Sequence, residues 1–405
     1  FRKGGQMITY EQALEAILKN TPVLSEEKIS SQESVGRILR EDIIAGVEMP
    51  PFNRSAMDGY ALNYLDIVKI PVKLKCVGLI KAGDISRKKI KRGECIKIMT
   101  GAALPENTDC VVMVEYARSK AGMVEILRGA QRGENVFFQG ENFRRGSKVL
   151  EKGVKIFPSH IPILVTLGRK FIKVAAKPKV AILNTGSEIV RLGDRLSRNK
   201  IYNSNGPMLR ALLKSDGLEP AMLGIAKDNK VELKEMIKKG LGHDILLISG
   251  GVSVGDYDLV PGVLEELGVK KIFHKVNIKP GKPVFFGVKG KTLIFGIPGN
   301  PISNFVAYFI FVKPAMQKMM SCQDYSFGFK EGVLEKEFHK KAGRCYFVLV
   351  NVRLKENRYF LSPIDGHSSA DTLSLSRADG FMLTGIRVTT IKKDEKVKFI
   401  TWKEI

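Results

Sequence analysis

Five cysteines in 405 residues, none in a C-x-x-C pair, give no material for a disulfide framework or a structural zinc site. The odd, scattered set (Cys76, Cys95, Cys110, Cys322, Cys345) suits a reducing compartment, so a cytoplasmic protein is expected. Histidine is as sparse. His160, His243, His274, His339 and His367 share no ligand spacing, which argues against a histidine metal cage. No apolar run approaches the roughly 20 residues that span a bilayer, so no membrane partner is expected. The opening Phe1-Arg2-Lys3-Gly4-Gly5-Gln6 has no apolar signal-peptide core, and Met7 reads as the natural start. No serine–histidine–acid grouping stands out, which argues against a covalent nucleophile. Acids are also in deficit: 66 Lys and Arg face 42 Asp and Glu, for a net charge of +24. Such a surplus attracts polyanions. The basic residues are dispersed and lack aromatic interleaving, so nucleic acid is not the expected partner.

What is present is a change of rhythm along the chain. Thr9 with Gln12 forms a capping box before a helix over Ile8–Asn20. From about 47 to 139 the pattern is β-like: Val72–Ile80, Glu94–Met99, Cys110–Glu115. Ile161–Leu167 reads as a helix that packs back on the first one. From Lys179 strands alternate with helices. Val180–Leu183, Ala221–Ile225, Ile245–Ile248 and Thr292–Phe295 are the strands. Asn205 and Asp228 read as helix caps, Gly217 and Gly268 as stops, and Ser303 as the start of a long apolar helix to about Met320. This alternation predicts a doubly wound α/β nucleotide-binding domain. The tail is all-β (Tyr346–Val352, Tyr359–Pro363, Gly380–Thr384, Lys396–Ile400) and predicts a small barrel or sandwich.

The fold class is therefore multidomain α/β, with a β-rich insertion domain and a C-terminal small β-barrel. The expected division is 1–46 with 140–177, then 47–139, 178–322 and 323–405.

In an open α/β sheet, ligands bind beyond the carboxyl ends of the strands. Four turns fall there: Asn184 to Glu188, Lys227–Asp228, Ser249 to Asp258, and Pro298 to Pro301. They offer glycine amides, the hydroxyls of Thr185, Ser187, Ser249 and Ser253, and the acids Glu188, Asp228, Asp256 and Asp258. Glycine amides cradle phosphate. Carboxylates beside phosphate point to Mg²⁺. Lys275, Lys279 and Lys282 add a cationic edge. Taken singly, Asp228 is more simply a cap, Ser253 a turn hydroxyl and Lys279 a solvated charge; their clustering favours a site.

Six motifs together resemble one family. They are Pro51-Phe52-Asn53-Arg54-Ser55-Ala56-Met57-Asp58-Gly59-Tyr60-Ala61, Met99-Thr100-Gly101-Ala102, Thr185-Gly186-Ser187-Glu188, Ser249 to Asp258 (Ser-Gly-Gly-Val-Ser-Val-Gly-Asp-Tyr-Asp), Ile278-Lys279-Pro280-Gly281-Lys282-Pro283 and Pro298-Gly299-Asn300-Pro301. The chain resembles the molybdopterin molybdenumtransferases, molybdenum insertases also found as the carboxy-terminal part of gephyrin. The resemblance implies an elongated homodimer with its site at the dimer cleft. It implies adenylylated molybdopterin and molybdate as substrates, AMP release, Mg²⁺, and transient contact with a molybdopterin adenylyltransferase. Carried over by position, Asp58, Thr100, Glu188, Asp228, Asp258, Lys275 and Lys279 would be catalytic. Thr185, Gly186, Ser187, Ser249, Gly250, Gly251, Ser253, Lys282, Pro298, Gly299, Asn300, Pro301 and Ser374 would bind substrate. Asp228, Asp258, Glu188 and Glu141 would hold metal. Glu141 enters because the family often reads Gly-Glu-Asp where this chain has Gly140-Glu141-Asn142. Two other readings share these motifs: an adenylyltransferase built on the same nucleotide-binding domain, and a non-catalytic scaffold of gephyrin type.

Overall fold

A computed structural model describes residues 7–84, 88–252, 258–323, 328–366 and 368–403. Helix α1 (Tyr10–Asn20) opens on the expected capping box: Thr9 Oγ1 accepts from the Gln12 amide, and Gln12 Oε1 accepts from the Thr9 amide. The β-rich stretch forms a six-stranded sheet. Its strands are β1 (Gly59–Leu62), β2 (Val72–Ile80), β3 (Glu94–Ile98), β4 (Cys110–Met113), β5 (Ala117–Lys120) and β6 (Met123–Ile126), in the order β4-β1-β3-β2-β6-β5. Alternating side chains bury both faces. Tyr60, Leu74, Cys95 and Val124 fill one core, and Ala61, Ile80, Ile96 and Ile98 the other.

Helix α2 (Ile161–Thr166) exists as expected but does not pack on α1. Its Leu164 joins Leu39, Ile43, Ile156, Ile172 and Val174 in a separate core. Helix α1 instead sends Tyr10, Ala13 and Ile17, spaced by three and four residues on one helical face, into the core of the α/β unit.

The α/β unit runs β7 (Val180–Thr185), α3 (Asn205–Ser215), β8 (Ala221–Ala226), α4 (Lys230–Gly240), β9 (Ile245–Ser249), α5 (Leu259–Glu266), β10 (Lys270–His274), β11 (Phe285–Lys289) and β12 (Thr292–Ile297). The order is β8-β7-β9-β12-β11-β10. The first four strands are parallel, and β11 and β10 pair antiparallel at one edge. Every residue of β7, β9 and β12 is buried, as a sheet covered on both faces requires. Val180, Ile182, Ile245 and Leu247 face α3; Ala181, Leu183, Leu246 and Ile248 face α4 and α5.

Three local expectations fail. The cap of α4 is Asn229, whose Oδ1 accepts from the Val231 and Glu232 amides; Asp228 is drawn away by another partner. Asn205 is the first residue of α3 and does not cap it. The long helix opens at Pro301, not Ser303, and is interrupted: α6 (Pro301–Ala307), a π-helical turn (Tyr308–Val312), then α7 (Lys313–Met319). The wider turn brings the Tyr308 hydroxyl and the Lys313 ammonium onto the two oxygens of Asp216, each at 2.7 Å.

The tail closes into a five-stranded barrel: β13 (Lys330–Leu334), β14 (Cys345–Lys355), β15 (Arg358–Pro363), β16 (Gly380–Thr384) and β17 (Lys396–Thr401), in the order β14-β15-β13-β17-β16 and back to β14. Phe347, Phe381 and Ile400 extend from it into the same core as α1.

Candidate functional site at the α/β sheet edge

Parallel pairing levels the strand ends. Asn184 pairs with Ser249, Ser249 with Ile297, and Thr185 with Ala226. The turns that follow β7, β8, β9 and β12 therefore share one edge. The chain reverses direction across the sheet between β7 and β9, the crevice where such sheets take ligands.

The glycines there serve two ends. Gly250 (φ +97°) and Gly251 (φ +63°) hold the left-handed region open to glycine. A Cβ on Gly250 would sit 2.4 Å from the Thr185 carbonyl oxygen, and one on Gly251 2.6 Å from Thr185 Oγ1. Close packing of one strand end against its neighbour thus demands glycine, beyond any access it gives a ligand. The Gly250 amide donates to the Ile297 carbonyl at 2.9 Å, which ties the β9 turn to the β12 turn. A Cβ added to Gly299 would meet the Gly250 Cα at 3.8 Å, an ordinary contact distance.

Beneath these turns lies a buried polar network. Ser249 Oγ accepts from Asn205 Nδ2 at 3.1 Å and from Asn304 Nδ2 at 2.7 Å. The same two amides donate to the Gly299 and Pro298 carbonyls. A carbonyl can only accept, so both amide orientations are fixed. That leaves Asn205 Oδ1, Asn304 Oδ1 and, nearby, Thr185 Oγ1 buried without a protein partner. Such orphans are uncommon in folded proteins, and three at one strand edge mark a place prepared for water or a ligand. Asn205 and Asn304 were missed from sequence. The first passed for a cap; the second sits inside an apolar helix with no local signal of its task.

Two of the acids, Glu188 and Asp228, meet at the β7 turn. Asp228 Oδ2 accepts from the Ser187 amide at 3.0 Å, and Ser187 Oγ accepts from the Asp228 amide at 3.1 Å. The Glu188 carboxylate folds over Gly186, where an added Cβ would lie 2.6 Å from it. Lys200 donates to the Ser187 carbonyl. Asp258 stands immediately before α5. Ser253 and Asp256 lie outside the described residues. Among the described residues no three His, Cys, Asp or Glu converge as a metal cage. Mg²⁺ seldom needs one: it keeps several waters and takes one or two carboxylates plus substrate phosphates. Hard oxygen donors at Glu188, Asp228 and Asp258 fit that habit.

A cavity of about 620 Å³ adjoins this edge, between the α/β unit and the barrel. Lys279, Lys282, Pro298, Asn300, Ser303 and Arg344 line it. Lys279 Nζ stands 4.8 Å over the Tyr346 ring, held there because Ile278–Lys279 pairs with Cys345–Tyr346 of β14. Arg344 and Tyr346 had no sequence signal, since only that long-range pairing brings them in. Lys275 has φ +102°, a strained value for a side-chain-bearing residue, while its amide donates to the Val284 carbonyl. Pro301 starts α6, and Asn300 Nδ2 donates to Ser369 Oγ at 2.7 Å. Ser374 is buried, and its hydroxyl donates to Asp371 at 2.6 Å. A larger groove of about 980 Å³, lined by Met208, Leu212, Phe305 and Trp402 among others, is mainly apolar and lacks the glycine–acid set.

Of the remaining candidates, Asp58 and Thr100 flank strands β1 and β3 of the insertion sheet, and Glu141 lies outside that sheet. Asp58 Oδ1 accepts from both the Thr100 amide and the Thr100 hydroxyl, each at 2.7 Å. The amide first, then the hydroxyl, holds the Asp58 carboxyl below the usual carboxylate range. Neither residue lines the cavity beside Pro298. Glu141 uses a carboxylate oxygen to accept from the Phe138 amide at 2.9 Å, closing a tight turn.

Comparison with known proteins agrees along nearly the whole length. Residues 8–168 match the MoeA N-terminal region (domain I and II), 181–318 the probable molybdopterin binding domain, and 331–402 the MoeA C-terminal region (domain IV). The molybdopterin molybdenumtransferase of Staphylococcus epidermidis is 32% identical over 381 residues, covering 93% of this chain and 91% of that protein. That of Bacillus subtilis is 33% identical over 369 residues, covering 88% and 85%. A crystal structure of a molybdopterin biosynthesis MoeA protein from Pyrococcus horikoshii superposes with TM-score 0.85 at 31% identity, covering 99% of this chain and 100% of that one. The chain belongs to the MoeA family of molybdopterin molybdenumtransferases.

Proposed function

We infer that this protein is a molybdenum insertase: it moves molybdenum from molybdate into adenylylated molybdopterin, releases AMP, and so forms molybdenum cofactor. The observation that carries the reading is the convergence of the Thr185–Ser187, Ser249–Gly251 and Pro298–Asn300 turns over one buried polar network.

The Gly250 and Gly251 turn would seat the pyrophosphate of the substrate, with Thr185, Gly186 and Ser187 across from it. Asp228, Asp258 and Glu188 would hold Mg²⁺, which when bound offsets charge on the phosphoanhydride oxygens. Lys275, Lys279, Lys282 and Arg344 would draw molybdate, a dianion, into the cavity beside Pro298. The substrate's dithiolene sulfurs, soft donors, then take the molybdenum. The protein positions and neutralises, and needs no covalent intermediate.

Asp58 and Thr100 belong to a different sheet, so their part in the reaction calls for a second subunit; a homodimer with the site in its cleft satisfies this. The same reading includes a division into four domains, a cytoplasmic location and a passing contact with the adenylyltransferase that supplies the substrate. Glu141 would join the metal ligands and Ser374 would bind substrate, each beside a local hydrogen bond it already makes, from the Phe138 amide and to Asp371.

The test is AMP release from adenylylated molybdopterin with Mg²⁺ and molybdate. Asp228→Ala should slow it by about 10²–10³-fold, the usual loss for one electrostatic group at a reacting centre. Unchanged turnover would remove the acid edge from the site.

A further inference from the structure

The insertion sheet holds a feature the insertase reading does not use. Cys76 on β2 and Cys95 on β3 are direct cross-strand partners in a parallel pair. Both side chains face the same core, Cys95 buried and Cys76 at its partly open margin. Neighbouring strands lie about 4.8 Å apart. That falls inside the roughly 4.4–6.8 Å between Cα atoms that a disulfide spans. The Cys76 thiol also donates to the Gly78 carbonyl, 3.4 Å away, at the register shift that loosens β2 just beyond it. Cys110 shares this core but stands on β4, with β1 between it and β3, out of reach.

We propose that Cys76 and Cys95 form a reversible dithiol–disulfide site whose co-reactant is a low-molecular-weight disulfide of the glutathione class. The Cys76 thiolate attacks one sulfur of oxidised glutathione and displaces one glutathione thiolate, leaving a mixed disulfide. Cys95 gives its proton to solvent, and its thiolate attacks the Cys76 sulfur and expels the second glutathione thiolate. Two protein thiols lose two electrons and two protons, and the glutathione disulfide gains them to leave as two thiols. The second step is the slow one, because burial pushes the Cys95 thiol up to about 12. Cross-strand disulfides are strained and readily reduced, which makes the modification reversible.

The test uses the full chain in two arms. Incubation with oxidised glutathione, alkylation of free thiols and peptide mapping should find a Cys76–Cys95 cross-linked peptide. It should persist in Cys110→Ser, vanish in Cys76→Ser, and disappear on adding reduced dithiothreitol. A trivalent arsenical that bridges only adjacent thiols should protect Cys76 and Cys95 together from alkylation, with no oxidant present and no substitution made. A glutathione adduct that stays on Cys76 beside a free Cys95 overturns the proposal. So does arsenical-treated protein in which both thiols still alkylate.

Discussion

Two acid–hydroxyl pairs, 42 and 41 positions apart in sequence, are built differently. In the insertion sheet one oxygen of Asp58 takes both donors of Thr100, so the exchange is one-sided and its other oxygen remains for something else. At the α/β edge Ser187 and Asp228 trade amides for side-chain oxygens, so each fixes the other's backbone. The first arrangement tunes a carboxylate. The second shapes a turn. The same residue types at nearly the same spacing thus do separate work, and the sheet that carries them decides which.

The contrast can be broken at its stiff end. Gly250→Ala places a Cβ against the Thr185 carbonyl in a backbone conformation that alanine resists. It should cost about 1–3 kcal/mol in denaturant unfolding and bring AMP release close to background. Parent-like turnover would mean that this turn does not hold the substrate. Asn304→Ala is next. It removes the donor to Ser249 and Pro298 from a fully buried position and should cost about 1–3 kcal/mol, with the Michaelis constant raised as the turns loosen. An unaltered melting profile would show the network to be slack.

The smallest effect sharpens the other end. Thr100→Val deletes the hydroxyl but keeps the amide, so the Asp58 midpoint should rise yet stay below the ordinary carboxylate range. The depressed native value stabilises above the unfolded value, and that contribution fades as pH falls through the native one. Carboxyl chemical shifts followed by NMR through acid titration give the answer; a midpoint that stays put would show the hydroxyl to be idle.

Much of the α/β unit was legible because Ile245–Ser249 and Thr292–Ile297 are short apolar runs cut off by glycine turns. The level strand ends followed from parallel pairing alone. What could not be read were side chains whose partners are remote. Asn205 beside Pro207 carries every local mark of a cap, yet its amide serves Gly299. Asp228 was outcompeted by Asn229 one residue on. Arg344 joins the cationic cavity only because Ile278–Lys279 adds to β14. The partners of α1 were hidden for the same reason: its apolar face names a need, and topology names what fills it.

That last pairing has a consequence for biosynthesis. The Tyr10 ring lies tilted against Phe311 at 6.0 Å and edge-on to Phe347 at 5.4 Å between centroids. The ribosome makes the helix long before it makes either ring, so nascent α1 must wait with its greasy side uncovered until most of the polypeptide has emerged. Contacts so distant are slow to form and leave the growing chain open to chaperone capture. Completion of the α/β core and seating of the barrel then become a single late event, sealed by a helix translated well before either ring.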